Sequence, residues 1–342
     1  MDVAFFGRIR ENLQQKRRAV TGWLDTTPEP QRHSQLGQMS EQAVLAHLQV
    51  VDTALEQVED QTLGICTICH EPVDAELLEM DYTTTVCLGH YTEEELRQLE
   101  AELELAQVVQ RALLPQSVPK VPGLEIAAYS RPSQIVGGDT FDFVQFRDGR
   151  YGLALADVAG HGMSASLLMA SVQTALRTLV PNSDSPADVL RQVNRLFSHN
   201  VSFTTFVTLF LAAYDAGSSR LTYANAGHNP PLVVHEHHGE DQALSWLKPT
   251  GAAVGLVEEF RIDERAVALA TGDVLVLYTD GVTEAFNPNG EEFGVQRLAR
   301  LVQQNAGLPV QGLVRSVRDG LVQFTTQQAL ADDTTIVAAA KV

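Results

Sequence analysis

The sequence contains no long apolar run and little positive charge. No stretch reaches the roughly 18 apolar residues of a membrane-spanning helix, and the N-terminal residues show no apolar segment followed by a small-residue cleavage site. Lys and Arg number 24 against 43 Asp and Glu, a formal net charge of −19. That balance argues against direct nucleic-acid binding. We therefore expect a cytoplasmic protein with neither a membrane nor a nucleic-acid partner.

Cysteine is also scarce. The only three are Cys66, Cys69 and Cys87, an odd number that excludes a complete disulfide framework. They follow a Cys-x2-Cys and Cys-x2-His pattern that ends at His90, and two such knuckles converge on a tetrahedral Zn²⁺. We predict one structural zinc held by these four residues, with His70 as a competing ligand.

The segment before the cysteines predicts an antiparallel helical hairpin. A turn rich in Pro, Gly and polar residues separates two apolar stripes. The stripes are Phe6, Ile9, Leu13, Val20 and Trp23, then Val44, Leu48, Val51, Leu55 and Val58.

This hairpin, together with "LGICTICHEPV", resembles the DksA/TraR-type zinc-finger proteins over residues 1–92. The resemblance implies zinc binding by a small finger. It also gives an alternative function, in which the zinc hairpin acts on RNA polymerase as a transcription-linked regulator. His90 stands where that family has a fourth cysteine.

Residues 93–122 are predicted to form a helical linker. Thr92 and Glu95 have the spacing of a capping box, the stripe Leu96, Leu99, Leu103, Ala106, Gln110 and Leu113 keeps helical spacing, and Pro115, Pro119 and Pro122 end the helix. The pattern fits a lone amphipathic helix packed on the next domain. It also fits a coiled coil that makes the protein a homodimer.

From residue 123 to residue 342 many short strands accompany a few grouped helices, which favours an α+β fold over alternating βαβ units. Aspartates stand where these strands begin or end. Such carboxylates at one sheet edge resist joint ionisation unless cations separate their charges, and all-oxygen ligation favours Mg²⁺ or Mn²⁺. The sequence therefore predicts two divalent ions near Asp139, Asp157, Asp280, Asp332 and Asp333.

The turn in "LADVAGHGMSAS" leaves other chemistries to weigh. It lacks the G-x-G-x-x-G spacing of a dinucleotide loop and the G-x-S-x-G of a nucleophile elbow. His161 remains open as a nucleophile or base, beside a supporting role. The run His235 to His238 is predicted to be a loop rather than a metal site.

Six ordered motifs resemble the SpoIIE/RsbU branch of the PPM metal-dependent serine/threonine protein phosphatases. They are "RPSQIVGGDTFDF", "LADVAGHGMSAS", "NAGHNPPLVV", "PTGAAVGL", "YTDGVTEAFNPNGEEFG" and "ADDTTIVAAA", preceded by "ELAQVVQRALLP". The resemblance spans about residues 105–342. It implies an α/β/β/α sandwich of two antiparallel sheets flanked by helices.

The resemblance also implies a metal site with two Mn²⁺ or Mg²⁺ ions bridged by Asp157. Water activated by the ions would hydrolyse phosphoserine or phosphothreonine on a regulatory phosphoprotein, such as an anti-sigma-factor antagonist, under control of the N-terminal zinc domain. Ile135 stands where the eukaryotic branch has an arginine, which leaves either the metals or Arg131 for phosphate docking, and Thr140 replaces a common aromatic. The implied ligands are Asp139, Asp157, the Val158 carbonyl, Asp280, Asp332 and Asp333, with Asp142 in support.

Overall fold

A computed structural model describes most of the chain. The described ranges are 41–73, 83–160, 162–200, 206–235, 244–257, 260–326 and 332–342, together with Leu78 and a few helical positions between residues 6 and 21. The chain divides into two compact units. The first comprises Met1–Glu102 and His199–Thr204, and the second comprises Leu103–Ser198 and Thr205–Val342.

The first unit has its own small apolar core. Helix α1, Glu41–Glu59, buries Val51 and Ala54 on one face. Ile9 and Leu13 from the first predicted stripe join the same core, as does Cys66. The other members are Leu63, Val73 and Leu78. Val20, Trp23 and the predicted hairpin turn lie outside the described residues.

Helix α2, Glu93–Leu113, begins with the predicted capping box. The Thr92 N–H donates to Glu95 Oε2 at 2.8 Å, and the Glu95 N–H donates to Thr92 Oγ1 at 3.2 Å. These bonds satisfy two N–H groups that a helix start leaves unpaired. The Glu95 carboxylate also accepts the Thr92 hydroxyl at 2.9 Å, and its pKa is lowered because it accepts both the N–H and the hydroxyl of Thr92. The predicted cap is confirmed.

The second unit contains two five-stranded sheets, with strand orders β1-β10-β9-β6-β7 and β2-β3-β4-β5-β8. All strand pairs are antiparallel. The strands are β1 Leu124–Arg131, β2 Thr140–Gln145, β3 Tyr151–Val158, β4 Val207–Asp215, β5 Arg220–Ala226, β6 Leu232–Val234, β7 Leu244–Trp246, β8 Arg265–Ala268, β9 Val274–Tyr278 and β10 Thr334–Lys341.

Helices cover the outer face of each sheet, so the predicted α/β/β/α layering is confirmed. Helix α3 packs on β2 and β3, whereas α7 packs on β1 and β10. No helix within the described ranges is long and apolar enough to cross a membrane. The remaining helices are α3 Gly162–Leu179, α4 Pro186–Asn200, a short α5 Asp280–Thr283, α6 Gly294–Asn305 and α7 Val310–Phe324.

Apolar side chains fill both sides of the sheet that contains β9. On β9, Leu277 faces the core between the sheets, while its neighbours Val276 and Tyr278 face α6 and α7. This alternation follows from the two-residue period of a strand. Each such fully buried aliphatic side chain contributes about 1.5–3 kcal/mol.

The strand order brings the motif aspartates to one end of the sandwich. Thr140 opposes Ala156 in the β2–β3 pair, so the start of β2 lies beside the end of β3. Tyr278 opposes Ile336 in the β9–β10 pair, so the end of β9 lies beside the start of β10. Asp139, Asp157, Asp280, Asp332 and Asp333 stand at or beside these four strand ends, whereas Asp142 lies inside β2.

Candidate active site and metal centres

Asp139, Asp157 and Asp280 are buried to different extents at this end of the sandwich. Asp139 is buried, whereas Asp157 and Asp280 are half-buried. Asp332 is exposed, and its neighbour Asp333 is buried. The predicted set therefore runs from the interior to the surface.

The electrostatics of these acids match a cation site. Burial, followed by the charges of Asp280, Asp332, Asp333 and Glu284, raises the pKa of Asp157 to about 8. Burial and the charges of Asp157 and Asp333 raise the pKa of Asp139, and side-chain hydrogen bonds from Thr335 and Thr279 oppose them. Clustered carboxylates resist joint ionisation without a compensating cation, and carboxylate oxygens are the ligand type that hard divalent ions prefer.

A threonine that sequence reasoning missed holds Asp139. Thr279 Oγ1 donates to Asp139 Oδ2 at 2.8 Å and accepts the Thr335 N–H at 2.9 Å. Thr279 is fully buried and immediately precedes Asp280. Its place in the "YTDG" motif was the available signal, but a motif does not reveal which carboxylate a hydroxyl reaches.

Asp333 plays a different part in this structure from the ligand role implied by resemblance. Its Oδ1 accepts the Ser133 N–H at 2.7 Å and the Ser133 hydroxyl at 3.0 Å, and its Oδ2 accepts the Gly138 N–H at 2.5 Å. A Cβ on Gly137 would lie 2.3 Å from the same Oδ2. Asp333 thus holds the loop that leads into Asp139, and a role as ligand stays a prediction.

Two glutamine side chains of helix α2 hydrogen-bond to the backbone of the loop that leads into Asp139. Gln110 Nε2 donates to the Gly137 carbonyl at 2.6 Å, and the Gly137 N–H donates back to Gln110 Oε1 at 3.1 Å. Gln107 Nε2 donates to the Ile135 carbonyl at 3.0 Å. Gln110 interrupts the apolar stripe of the linker, which was the sequence signal for a special role.

Asp142, the supporting candidate, is paired with protein groups. Its Oδ2 accepts from Arg177 Nε at 2.6 Å and from Gln173 Nε2 at 3.4 Å. Both partners also donate to the Leu113 carbonyl at the end of α2. Asp142 therefore joins β2, α3 and the end of the linker helix.

The remaining predicted positions surround the acids. Val158 is buried, and a Cβ on Gly138 would lie 3.0 Å from its carbonyl oxygen. Arg131 opposes Thr334 in the β1–β10 pair, beside Asp333. Thr140 is buried next to Asp139. His161 lies outside the described residues, so its role is not tested.

The predicted zinc ligands come together in the first unit. The ligand atoms of Cys66, Cys69, Cys87 and His90 all lie within 4.8 Å of one another. Within the described parts of the chain, no other group of three or more has its ligand atoms gathered for one ion in this way. The competing His70 is exposed and lies outside the cluster.

The spacing of this cluster fits zinc. Cys69 Sγ and Cys87 Sγ are 3.7 Å apart, and a tetrahedron with Zn–S bonds of about 2.3 Å has edges of about 3.8 Å. Burial opposes ionisation of Cys66, but N–H donors from Cys69, Cys87 and Ile68 outweigh it and lower its pKa to about 6. In the same cluster, burial and the contacts with Cys69 and Cys66 raise the pKa of Cys87 to about 11. Only the thiolate form of a cysteine binds zinc.

His235, the first residue of the histidine run, contacts two polar side chains. His235 Nδ1 lies 2.9 Å from Asp273 Oδ2, and its Nε2 lies 2.9 Å from Ser245 Oγ. The rest of the run is outside the described residues. The predicted loop is therefore tested only at its first residue, which follows β6.

A protein-family model matches most of the second unit. The family model "Stage II sporulation protein E (SpoIIE)" matches residues 147–341. The Bacillus subtilis "Phosphoserine phosphatase RsbU" is 30% identical over 273 residues, covering 77% of this chain and 79% of the relative. The family model begins at residue 147, so the DksA/TraR resemblance of residues 1–92 stays a prediction.

Solved structures share the fold. The SiaA-PP2C domain of Pseudomonas aeruginosa superposes with a TM-score of 0.62 at 24% identity, covering 72% of this chain and 98% of that one. The RsbU and RsbW domains of a Mycobacterium tuberculosis protein give a TM-score of 0.58 at 30% identity, with 67% and 63% covered. The first likeness supports the two-sheet fold alone.

Proposed function

The chain belongs to the SpoIIE family of PPM-type protein serine/threonine phosphatases, and from this premise we propose that it dephosphorylates phosphoserine or phosphothreonine on a regulatory protein with two Mn²⁺ or Mg²⁺ ions. The single observation that carries the metal assignment is the set of aspartates at one end of the sandwich. Burial is the largest cause of the raised pKa values at Asp139, Asp157 and Asp280.

Each acid has a part in this proposal. Asp157 and the Val158 carbonyl would serve both ions, Asp139 would complete the ligands of one ion, and Asp280 and Asp332 would hold the other. When bound, the ions acidify water and neutralise charge on the phosphoryl oxygens. The protein keeps the inner carboxylate dry and in place, while the exposed Asp332 leaves room for a protein substrate.

The direct test is Mn²⁺-dependent release of phosphate from an aryl phosphate and from a phosphoserine peptide. D157N and D280N should each lower kcat by orders of magnitude, because each removes a proposed ligand. D319N is the matched control, since Asp319 is an exposed aspartate on α7 that pairs with Arg318. Full activity in both D157N and D280N would contradict the metal assignment.

For the substrate we propose a phosphoserine anti-sigma-factor antagonist, by resemblance to the branch that contains RsbU. A phosphoproteome compared with and without the protein in the cytoplasm of its host should show one such protein gaining phosphoserine on deletion. If no phosphoserine site in this protein class changes, the substrate proposal is wrong.

For the first unit we propose that one structural Zn²⁺ binds Cys66, Cys69, Cys87 and His90, and that this unit controls the phosphatase through the linker. The gathering of the four ligand atoms supports a structural rather than a catalytic zinc, because four protein ligands would fill a tetrahedral site and leave no position for a substrate. The purified full chain should contain one zinc per chain by elemental analysis. C69S should lose the zinc and alter the phosphatase rate, whereas H70A should keep both.

The domain boundaries 1–92, 93–122 and 123–342 and a homodimer through α2 belong to the same proposal. The apolar side chains of Leu105, Val108 and Val109 are exposed on that helix. Light scattering of the full chain and of a L105E/V108E variant tests the dimer. RNA-polymerase binding stays the alternative, and a pull-down with the full chain tests it.

A further inference from the structure

We propose that the Thr279 hydroxyl is the positioning group for Asp139, and that this bond sets the affinity of the phosphatase site for a divalent ion. The inference rests on the proposed function, because that function assigns Asp139 to metal binding. Thr279 itself touches neither substrate nor ion in this assignment, since it acts through the Asp139 carboxylate.

The hydrogen bonds at Thr279 leave its proton one favoured acceptor. A hydroxyl has one proton and two lone pairs, and the Thr335 N–H occupies a lone pair at 2.9 Å. Asp139 Oδ2 lies at 2.8 Å, whereas the Asp333 carbonyl oxygen lies at 3.4 Å. The proton therefore goes to the carboxylate, which is also the stronger acceptor.

This bond crosses between the two sheets. Asp139 leads into β2 of one sheet, whereas Thr279 and Thr335 lie at the β9 and β10 ends of the other. The hydroxyl thus ties three segments that each carry a proposed ligand. The bond to Oδ2 restrains the orientation of the Asp139 carboxylate.

Because both residues are buried, water cannot easily replace the hydrogen bond between Thr279 and Asp139. Thr279 is 0% exposed and Asp139 is 7% exposed. Without the hydroxyl, Asp139 Oδ2 and the Thr335 N–H both lose a partner. Among the described residues, Asp139 then keeps only the side-chain hydrogen bond from Thr335 and is free to turn from its ligating orientation, and outer partners of this kind typically change metal affinity by about 10–100-fold.

The test uses T279V, which keeps the branched shape and removes the hydroxyl, and T279S, which keeps the hydroxyl. T140V is the matched control. Thr140 is equally buried beside Asp139, and its Oγ1 has no hydrogen-bond partner among the described residues. Mn²⁺ binding to each full-length chain is measured by electron paramagnetic resonance of the free ion, and kcat and KM are measured across an Mn²⁺ titration.

T279V is expected to bind Mn²⁺ about 10–100-fold more weakly and to recover kcat as Mn²⁺ is raised. T279S and T140V are expected to bind as the unsubstituted chain does. Equal binding by T279V and the unsubstituted chain, or equal loss in T279V and T279S, would overturn the inference. If T279V does not fold by circular dichroism, T279A carries the same expectation. Failure of the unsubstituted chain to bind Mn²⁺ would instead overturn the proposed function.

Discussion

Removal of the Asp157 charge should change how stability depends on pH when no divalent ion is added. Its pKa of about 8 lies far above the ordinary 3.8, first because of burial and then because of the surrounding acids. A group whose pKa is raised on folding binds more protons in the folded state, so its contribution falls as pH rises. That contribution is fully present below pH 4 and is lost as pH rises through 8.

The magnitude follows from the shift. One pKa unit corresponds to about 1.4 kcal/mol, and the interval from pH 5 to pH 8 lies within the shift. Because the acids share their protons, we expect the unsubstituted chain to lose about 2–4 kcal/mol relative to D157N over this interval. With saturating Mn²⁺ we expect the unsubstituted chain to become more stable than D157N, because the ionised Asp157 carboxylate binds the ion.

Urea unfolding followed by circular dichroism at pH 5, 6, 7 and 8 measures this difference. The protein is dialysed free of added Mn²⁺ and Mg²⁺ without a chelator, which keeps the proposed zinc in place. D215N is the control, because hydrogen bonds from Ser218 and Gly217 lower the Asp215 pKa. The contribution of Asp215 to stability changes only at acid pH, so the free energy of unfolding of D215N should follow that of the unsubstituted chain from pH 5 to pH 8. If D157N also follows the unsubstituted chain over this interval, the reasoning is refuted.

Three further predictions concern the same end of the sandwich. Q110L should lower the free energy of unfolding by about 1–3 kcal/mol in thermal melting, because Gly137 loses both partners for its buried backbone groups. G281A should destabilise by about 1–3 kcal/mol or more, since its Cβ would lie 2.1 Å from the Asp333 carbonyl oxygen, whereas G307A meets nothing within 4 Å and should fold normally. Mn²⁺ at a hundred times its dissociation constant should stabilise the folded chain by about 2.7 kcal/mol, and an unchanged unfolding curve would contradict binding at the aspartates.

Local sequence pattern was enough to predict several features. A capping box involves residues three apart, so Thr92 and Glu95 could be paired from spacing alone. Cys-x2-Cys and Cys-x2-His fix each half of the cysteine–histidine cluster, and only their convergence needed the fold. The sequence pattern predicts helices over 163–180 and 186–199, and α3 and α4 fall within a residue of these bounds.

Interactions between distant segments could not be predicted in this way. The partners of Asp333 are Ser133 and Gly138, about two hundred positions earlier, and its shared motif with Asp332 suggested ligation instead. Asp142 resembles the other strand-end acids in sequence, yet Arg177 on α3 neutralises it. Whether a buried carboxylate meets a cation or a hydrogen-bond donor depends on which elements pack beside it.

The sequence by itself determined the α+β class, the family resemblance and the identity of the acids at the strand ends, because periodicity and motifs are local properties. Only the tertiary structure decided how those acids are held. Thr279 reaches Asp139 across two sheets, and Gln110 reaches the Gly137 backbone from the linker helix. Both contacts depend on the packing of elements far apart in the chain, and that packing sets the burial and charge proximity that raise the pKa of Asp157.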